Sequence, residues 1–171
     1  MSENTTEIPA ACGLAKILAT AGGADYAPVA PGTFGSAIGV AVYAALSVLN
    51  PLLFALTVAA MLFLGIWAAD EAERVFGKKD DGRIVIDEVV GQLIALAPLL
   101  VFAGPAATRS LPLLGAGFLL FRLFDIWKPG PVGWAERRFA GGAGVMLDDV
   151  VAGALAGLCF TPLVMIWGAG V

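Results

Sequence analysis

Five apolar runs constrain this chain more than any other feature: residues 36–49, 52–69, 89–103, 111–124 and 150–167. Several are only about 14 or 15 residues long, short of the ~20 that a membrane span needs. Helices continuing into the polar flanks would supply the missing length. The competing reading is a buried helical core in a soluble bundle. Composition weighs against it: 59% of the 171 residues are hydrophobic, 14% are charged, and mean hydropathy is +0.88. So few polar residues leave little surface to cover five apolar helices. The expectation is an all-α, multi-span membrane bundle of about five apolar helices, forming a single domain over residues 1–171. Residues 1–10 read as a disordered tail, and Ala11–Thr20 as a short helix at the membrane surface.

Several function classes drop out at once. The net charge is −4 with no basic patch, so no nucleic-acid partner is expected. The two cysteines, Cys12 and Cys159, are far apart and give neither a disulfide framework nor zinc spacing. There is no histidine, which removes the commonest general base and transition-metal ligand. The opening MSENTTEIPA is polar and acidic, unlike a signal peptide.

Five spans put the N-terminal loop, the 70–87 loop and the 125–149 loop on one side. That side holds Lys16, Arg74, Lys78, Lys79, Arg83, Lys128, Arg137 and Arg138, whereas the other holds Arg109. Basic loops stay cytoplasmic, so the charged side is expected to face the cytoplasm.

Nearly every carboxylate gathers on that side. Asp87 and Glu88 open the third run, Asp125 closes the fourth, and Asp148 and Asp149 open the fifth. One acid per helix start would be explained by capping and the helix dipole. Two adjacent acids, twice, at the starts of apolar helices call for something positive against them, a basic side chain or a metal. An oxygen-only donor set suits Mg²⁺, which keeps waters and binds through a few carboxylates plus substrate phosphate. Asp80 and Asp81, beside Lys78 and Lys79, read as solvated charge.

Candidate phosphate-binding groups sit nearby. Arg122, Asp125 and Lys128 are spaced three apart; Arg122 either holds phosphate or pairs with Asp125, and Lys128 either holds phosphate or complements a helix C-terminus. Pro31–Ser36, containing Thr33, leads from a loop into a helix, where free N–H groups favour an anion, unless it is a plain turn with a Ser cap. Gly141–Gly144 is a flexible loop or a close backbone approach. Gly153 and Gly157 form a small-residue face for helix packing, and the four tryptophans suit interfacial anchoring. No cysteine-phosphatase loop and no Asp-x-Asp are present, which leaves water attack with a carboxylate base.

Four motifs, in order, then carry a resemblance: APGTFGS (30–36), IVIDEVVG (84–91), FRLFDIWKPGPV (121–132) and GGAGVMLDDVVAG (141–153). From about Thr20 onward the chain resembles the phosphatidylglycerophosphatase A family. The resemblance implies a Mg²⁺-dependent membrane phosphatase that converts phosphatidylglycerophosphate, a phosphorylated glycerophospholipid, to phosphatidylglycerol and phosphate. It places Asp87, Glu88, Asp125, Asp148 and Asp149 as catalytic and metal-binding positions and Lys128 as the basic one. It further implies a bacterial-type inner membrane with the site on the cytoplasmic face. A homo-oligomer stays open. One departure is visible: Gly23-Ala24-Asp25 stands where the family pattern has Gly-Ser-Gly. The rivals are a CDP-alcohol phosphatidyltransferase-like enzyme, whose signature starts at Asp81-Gly82 and breaks at Arg83, and a small transporter with an acidic ion site.

Overall fold

The computed structural model describes residues 10–21, 30–78 and 81–167. They form seven α-helices, one 3₁₀ turn and no strand. The helices are α1 (Ala10–Ala19), α2 (Pro31–Leu46), α3 (Pro51–Phe76), α4 (Ile86–Phe102), α5 (Leu111–Trp127), α6 (Gly130–Arg138) and α7 (Gly142–Trp167). The expected tail, the Gly23-Ala24-Asp25 departure, Lys79 and Asp80 lie outside the described residues.

Local chemistry sets the boundaries. Pro31 and Pro51 stand at the first turns of α2 and α3, where a missing N–H costs nothing. Asn50 caps α3 through Leu53 N at 2.9 Å, and Gly77, at φ +64°, ends it. The second run therefore continues through Arg74 to Phe76, well past residue 69. The fifth helix likewise starts at Gly142, not near 150. Its first N–H groups need a partner, and Asp70 of α3 supplies one: Gly142 N donates to Asp70 Oδ1 at 2.6 Å. Gly141, at φ +66°, makes the turn beneath that carboxylate. The 141–144 glycines are thus a close backbone approach, and Asp148 and Asp149 sit in the second turn, not at the helix start.

α4 is the central helix. It packs on α7, α2, α3 and α5 and buries Val90, Leu93, Leu96 and Leu99 completely. Its neighbours bury Tyr43, Phe54, Phe121 and Phe160 around it, and glycines bring two of these neighbours close. Gly153 of α7 lies against the Gly91 backbone, and Gly35 and Gly39 of α2 lie against Val85 and Gln92. The 30–36 motif is therefore a helix-packing device as well as a helix start. Its Ser36 does not cap; its hydroxyl donates back to Gly32 O at 2.8 Å.

The outer faces carry exposed Leu52, Leu56, Phe63, Leu64, Leu119, Leu123, Leu158 and Ile166, the reverse of a soluble surface. α3 and α7, at 26 residues each, are long and apolar enough to cross a membrane. The N-termini of α2, α4 and α7 and the C-termini of α3 and α5 meet at one end of the bundle, and the acids are there.

Candidate active site

Asp87 and Glu88 occupy the first turn of α4, yet neither caps it: its N-cap, Val85, makes no side-chain hydrogen bond. The carboxylates instead turn inward. Asp87 Oδ1, Glu88 Oε2 and Asp149 Oδ2 are buried oxygens without hydrogen-bond partners among the described residues. One ligand oxygen from each of these three side chains lies within 4.8 Å of the others. Gly91 and Gly153, one turn beyond Asp87 and Asp149, let the two helices approach closely enough to bring the acids together.

Three buried like charges so close repel one another and each forfeits its hydration. Among the described residues no protein donor reaches these three oxygens. A hard divalent cation fits the donor set: three carboxylate oxygens and, among the described residues, no softer donor beside them.

Asp125 and Asp148, the other two expected acids, border the cluster with cations of their own. Arg122 Nη1 donates to Asp125 Oδ2 at 2.5 Å and to Ser36 Oγ at 3.4 Å. Asp125 is also a charged neighbour of Glu88 and Asp149. Lys128 Nζ donates to Asp148 Oδ2 at 2.9 Å and to Glu136 Oε1 at 2.8 Å. Both readings of Arg122 are therefore compatible, since the ion pair stands beside the acids.

Lys128 owes its position to backbone geometry. It ends α5 at φ 46°, and Pro129 starts α6 immediately after it. The left-handed turn folds α6 back so that Glu136 and Asp148 both reach the ammonium. Burial alone would lower the Lys128 pKa; the two carboxylates outweigh it and hold it above the ordinary lysine range.

Thr33 sits on the first turn of α2, exposed, with its N–H given to Ala30 O at 3.0 Å. Its neighbour Gly32 touches the site: a Cβ there would lie 3.1 Å from Arg122 Nη1 and closer still to Glu88 Oε1. Four contributors went unseen in the sequence. Gly32 and Ser36 form the wall against Glu88 and Arg122. Asp70 anchors α7, and an acid ending an apolar run, like Asp125, was a readable signal for it. Gln92 lies one turn beyond Glu88, fully buried, with neither amide atom partnered among the described residues.

Comparison with known proteins bears on this arrangement. The family model for phosphatidylglycerophosphatase A matches residues 17–164. The chain belongs to the phosphatidylglycerophosphatase A family. A member from Escherichia coli named phosphatidylglycerophosphatase A is 34% identical over 140 residues, 82% of this chain and 77% of its own length. One from Haemophilus influenzae with the same name is 35% identical over 82% of each chain. A Bacteroides thetaiotaomicron relative, provisionally named a phosphatidylinositol-3-phosphatase, is 43% identical over 80% of this chain and 85% of its own length. No solved structure matches.

Proposed function

We propose that this phosphatidylglycerophosphatase A family member is a Mg²⁺-dependent lipid phosphatase that hydrolyses phosphatidylglycerophosphate to phosphatidylglycerol and phosphate. The observation that carries the reading is the trio of unpartnered buried oxygens on Asp87, Glu88 and Asp149. A site built only of converging carboxylates binds a cation, and through it an anion. The names of the Escherichia coli and Haemophilus influenzae relatives supply the headgroup.

Asp87, Glu88 and Asp149 would hold the ion. When bound, Mg²⁺ contributes charge neutralisation at the phosphoryl oxygens and activation of water. The chain's own groups do the rest. Lys128 faces the terminal phosphate, which carries close to two charges at neutral pH. Asp148 and Glu136 keep Lys128 protonated and aimed. Asp125, restrained by Arg122, stands beside the cluster as a candidate proton acceptor for the attacking water.

We also propose five spans, α2, α3, α4, α5 and α7. At 1.5 Å per residue, the 16- and 17-residue helices reach about 24–26 Å and the 26-residue helices about 39 Å, bracketing a hydrocarbon core of ~30 Å. Arg74, Lys78, Arg83, Lys128, Arg137 and Arg138 lie at the site's end and Arg109 at the other, which supports a cytoplasmic site. That end position also weighs against a transporter, whose ion sites lie near mid-membrane.

Phosphate release from phosphatidylglycerophosphate and, separately, phosphatidylinositol 3-phosphate, each with Mg²⁺ and with EDTA, tests the reading. Release from the first substrate only with Mg²⁺ is expected. Equal release in EDTA, or none from phosphatidylglycerophosphate, overturns it.

A further inference from the structure

On α5, Leu119, Arg122, Leu123 and Ile126 recur at the spacing of one helix face. With Trp127 they line an open groove of about 670 Å³. The four apolar residues are 54–71% exposed, so the face belongs against lipid. Arg122 is the sole charge in it. A guanidinium on a lipid-facing stripe is costly unless its head is satisfied. Arg122 turns its head inward, to Asp125 and Ser36, and beside Gly32 and Glu88. Both of these hydrogen bonds leave from Nη1, while Nε lies buried without a partner among the described residues. Asp125 therefore satisfies only part of the planar fork, whose paired N–H groups suit two oxygens of one oxyanion such as a phosphate.

We infer that Arg122 holds the phosphodiester of the lipid substrate, the α5 groove takes its acyl chains, and the substrate enters the site sideways from the bilayer. The inference rests on the phosphatase reading and deepens it. Along the molecule, a phosphorylated glycerophospholipid runs from acyl chains to phosphodiester to terminal phosphate. Along the protein, the same order runs from Leu119, Leu123 and Ile126 to Arg122 to the carboxylate cluster. Lys128, held between Asp148 and Glu136, is left for the terminal phosphate. Arg122 would then distinguish lipids with a phosphodiester from those without, and the dephosphorylated lipid product would keep every group that Arg122 and the groove recognise.

The test is a binding measurement on the full chain in detergent. Phosphatidylglycerol and diacylglycerol, both with brominated acyl chains, are titrated, and quenching is taken as the difference between the wild type and Trp127→Phe. Phosphatidylglycerol should bind about tenfold more tightly than diacylglycerol, the worth of one charge-assisted hydrogen bond. Arg122→Gln should erase that preference while diacylglycerol affinity stays. Should Arg122→Gln not fold, Arg122→Lys keeps the charge without the fork and should lose most of it. A preference surviving in the folded variant, a wild type without one, or quenching indifferent to Trp127 overturns the assignment. Hydrolysis plays no part in the readout. Tight, Arg122-dependent binding without phosphate release would sink the phosphatase reading alone, and Mg²⁺-dependent release without Arg122-dependent binding would sink this one alone.

Discussion

Adding one methyl group at Gly153 should disable the site without touching any of its charges. A Cβ built on Gly153 lies 2.3 Å from the Gly91 carbonyl oxygen, whereas ordinary contact begins at 3.4 Å. The obstacle is backbone, so the α4–α7 crossing must open by about 1 Å. Overpacking of this kind costs ~1–3 kcal/mol, which a bundle this apolar survives. The catalytic loss should be larger than the stability loss suggests. Asp149 lies one turn before Gly153, and Asp87 and Glu88 lie one turn before Gly91, so opening the crossing spreads the three oxygens. A misplacement of about 1 Å can cost ~100-fold in rate. Gly157 is the internal control. One turn further along α7, a Cβ there meets nothing nearer than Ile94 O at 3.4 Å, so Gly157→Ala should keep activity and gain up to ~1 kcal/mol of helix propensity. Phosphate release at saturating Mg²⁺ and melting temperature, measured on the same preparations, decide the matter. A folded Gly153→Ala enzyme with wild-type kcat/KM would refute the claim that this glycine pair sets the cluster's geometry, as would equal losses in both variants.

Asp87→Asn, Glu88→Gln and Asp149→Asn should each lower turnover by two or more orders of magnitude, the scale of losing charge stabilisation at a phosphoryl group. In EDTA each should melt no lower than the wild type, because one repelling carboxylate is gone, and each should lack the rise in melting temperature expected of the wild type in Mg²⁺; a retained rise removes that residue from the metal set. Lys128→Ala should reduce kcat/KM at saturating Mg²⁺ and, by breaking its ion pairs with Asp148 and Glu136, cost roughly 1–3 kcal/mol, between an exposed and a buried broken ion pair; normal kinetics with a lowered melting temperature discards its phosphate role. The Arg83 guanidinium holds the Asp81 carboxyl below its usual range, so its stabilisation is present above the unfolded value of about 3.9 and lost as pH falls through the folded one. Asp81→Asn should accordingly lower the melting temperature at pH 7, with the gap to wild type closing below about pH 4; a gap that persists at low pH contradicts this. Cysteines placed at Lys78 and Arg137, both exposed, should react with an impermeant maleimide only after cells are permeabilised, and labelling of intact cells overturns the proposed orientation.

The positions of the acids were legible because charge inside an apolar sequence is conspicuous whatever the fold. Their division of labour was not. The spacing already offered the Arg122–Asp125 pair as one of two readings, but only packing shows Asp148 paired with Lys128 while Asp87, Glu88 and Asp149 keep oxygens unpartnered among the described residues. The α7 boundary was misplaced because hydropathy rises only after Asp149, whereas the helix is started by Asp70, 72 positions upstream. A cap supplied across the fold leaves no local signature. The packing role of the 30–36 motif was missed for a related reason. Gly32, Gly35 and Gly39 serve the approach of α4, and a glycine's partner in close packing cannot be read from its neighbours in sequence. The Gly153 face was readable because a small-residue repeat within one long apolar helix has few other uses.

The hydrogen bond from Gly142 to Asp70 also dictates an order of manufacture. α3 and α4 emerge from the ribosome well before α7, so Asp70 waits without its partner and Asp87 and Glu88 wait without Asp149. Until α7 inserts, the Gly91 backbone lacks Gly153 against it and the acidic cluster has two of its three carboxylates. A nascent chain stalled before Gly142 is therefore expected to be catalytically silent, with the activity arriving only when α7 joins the bundle and brings Asp149 to the cluster.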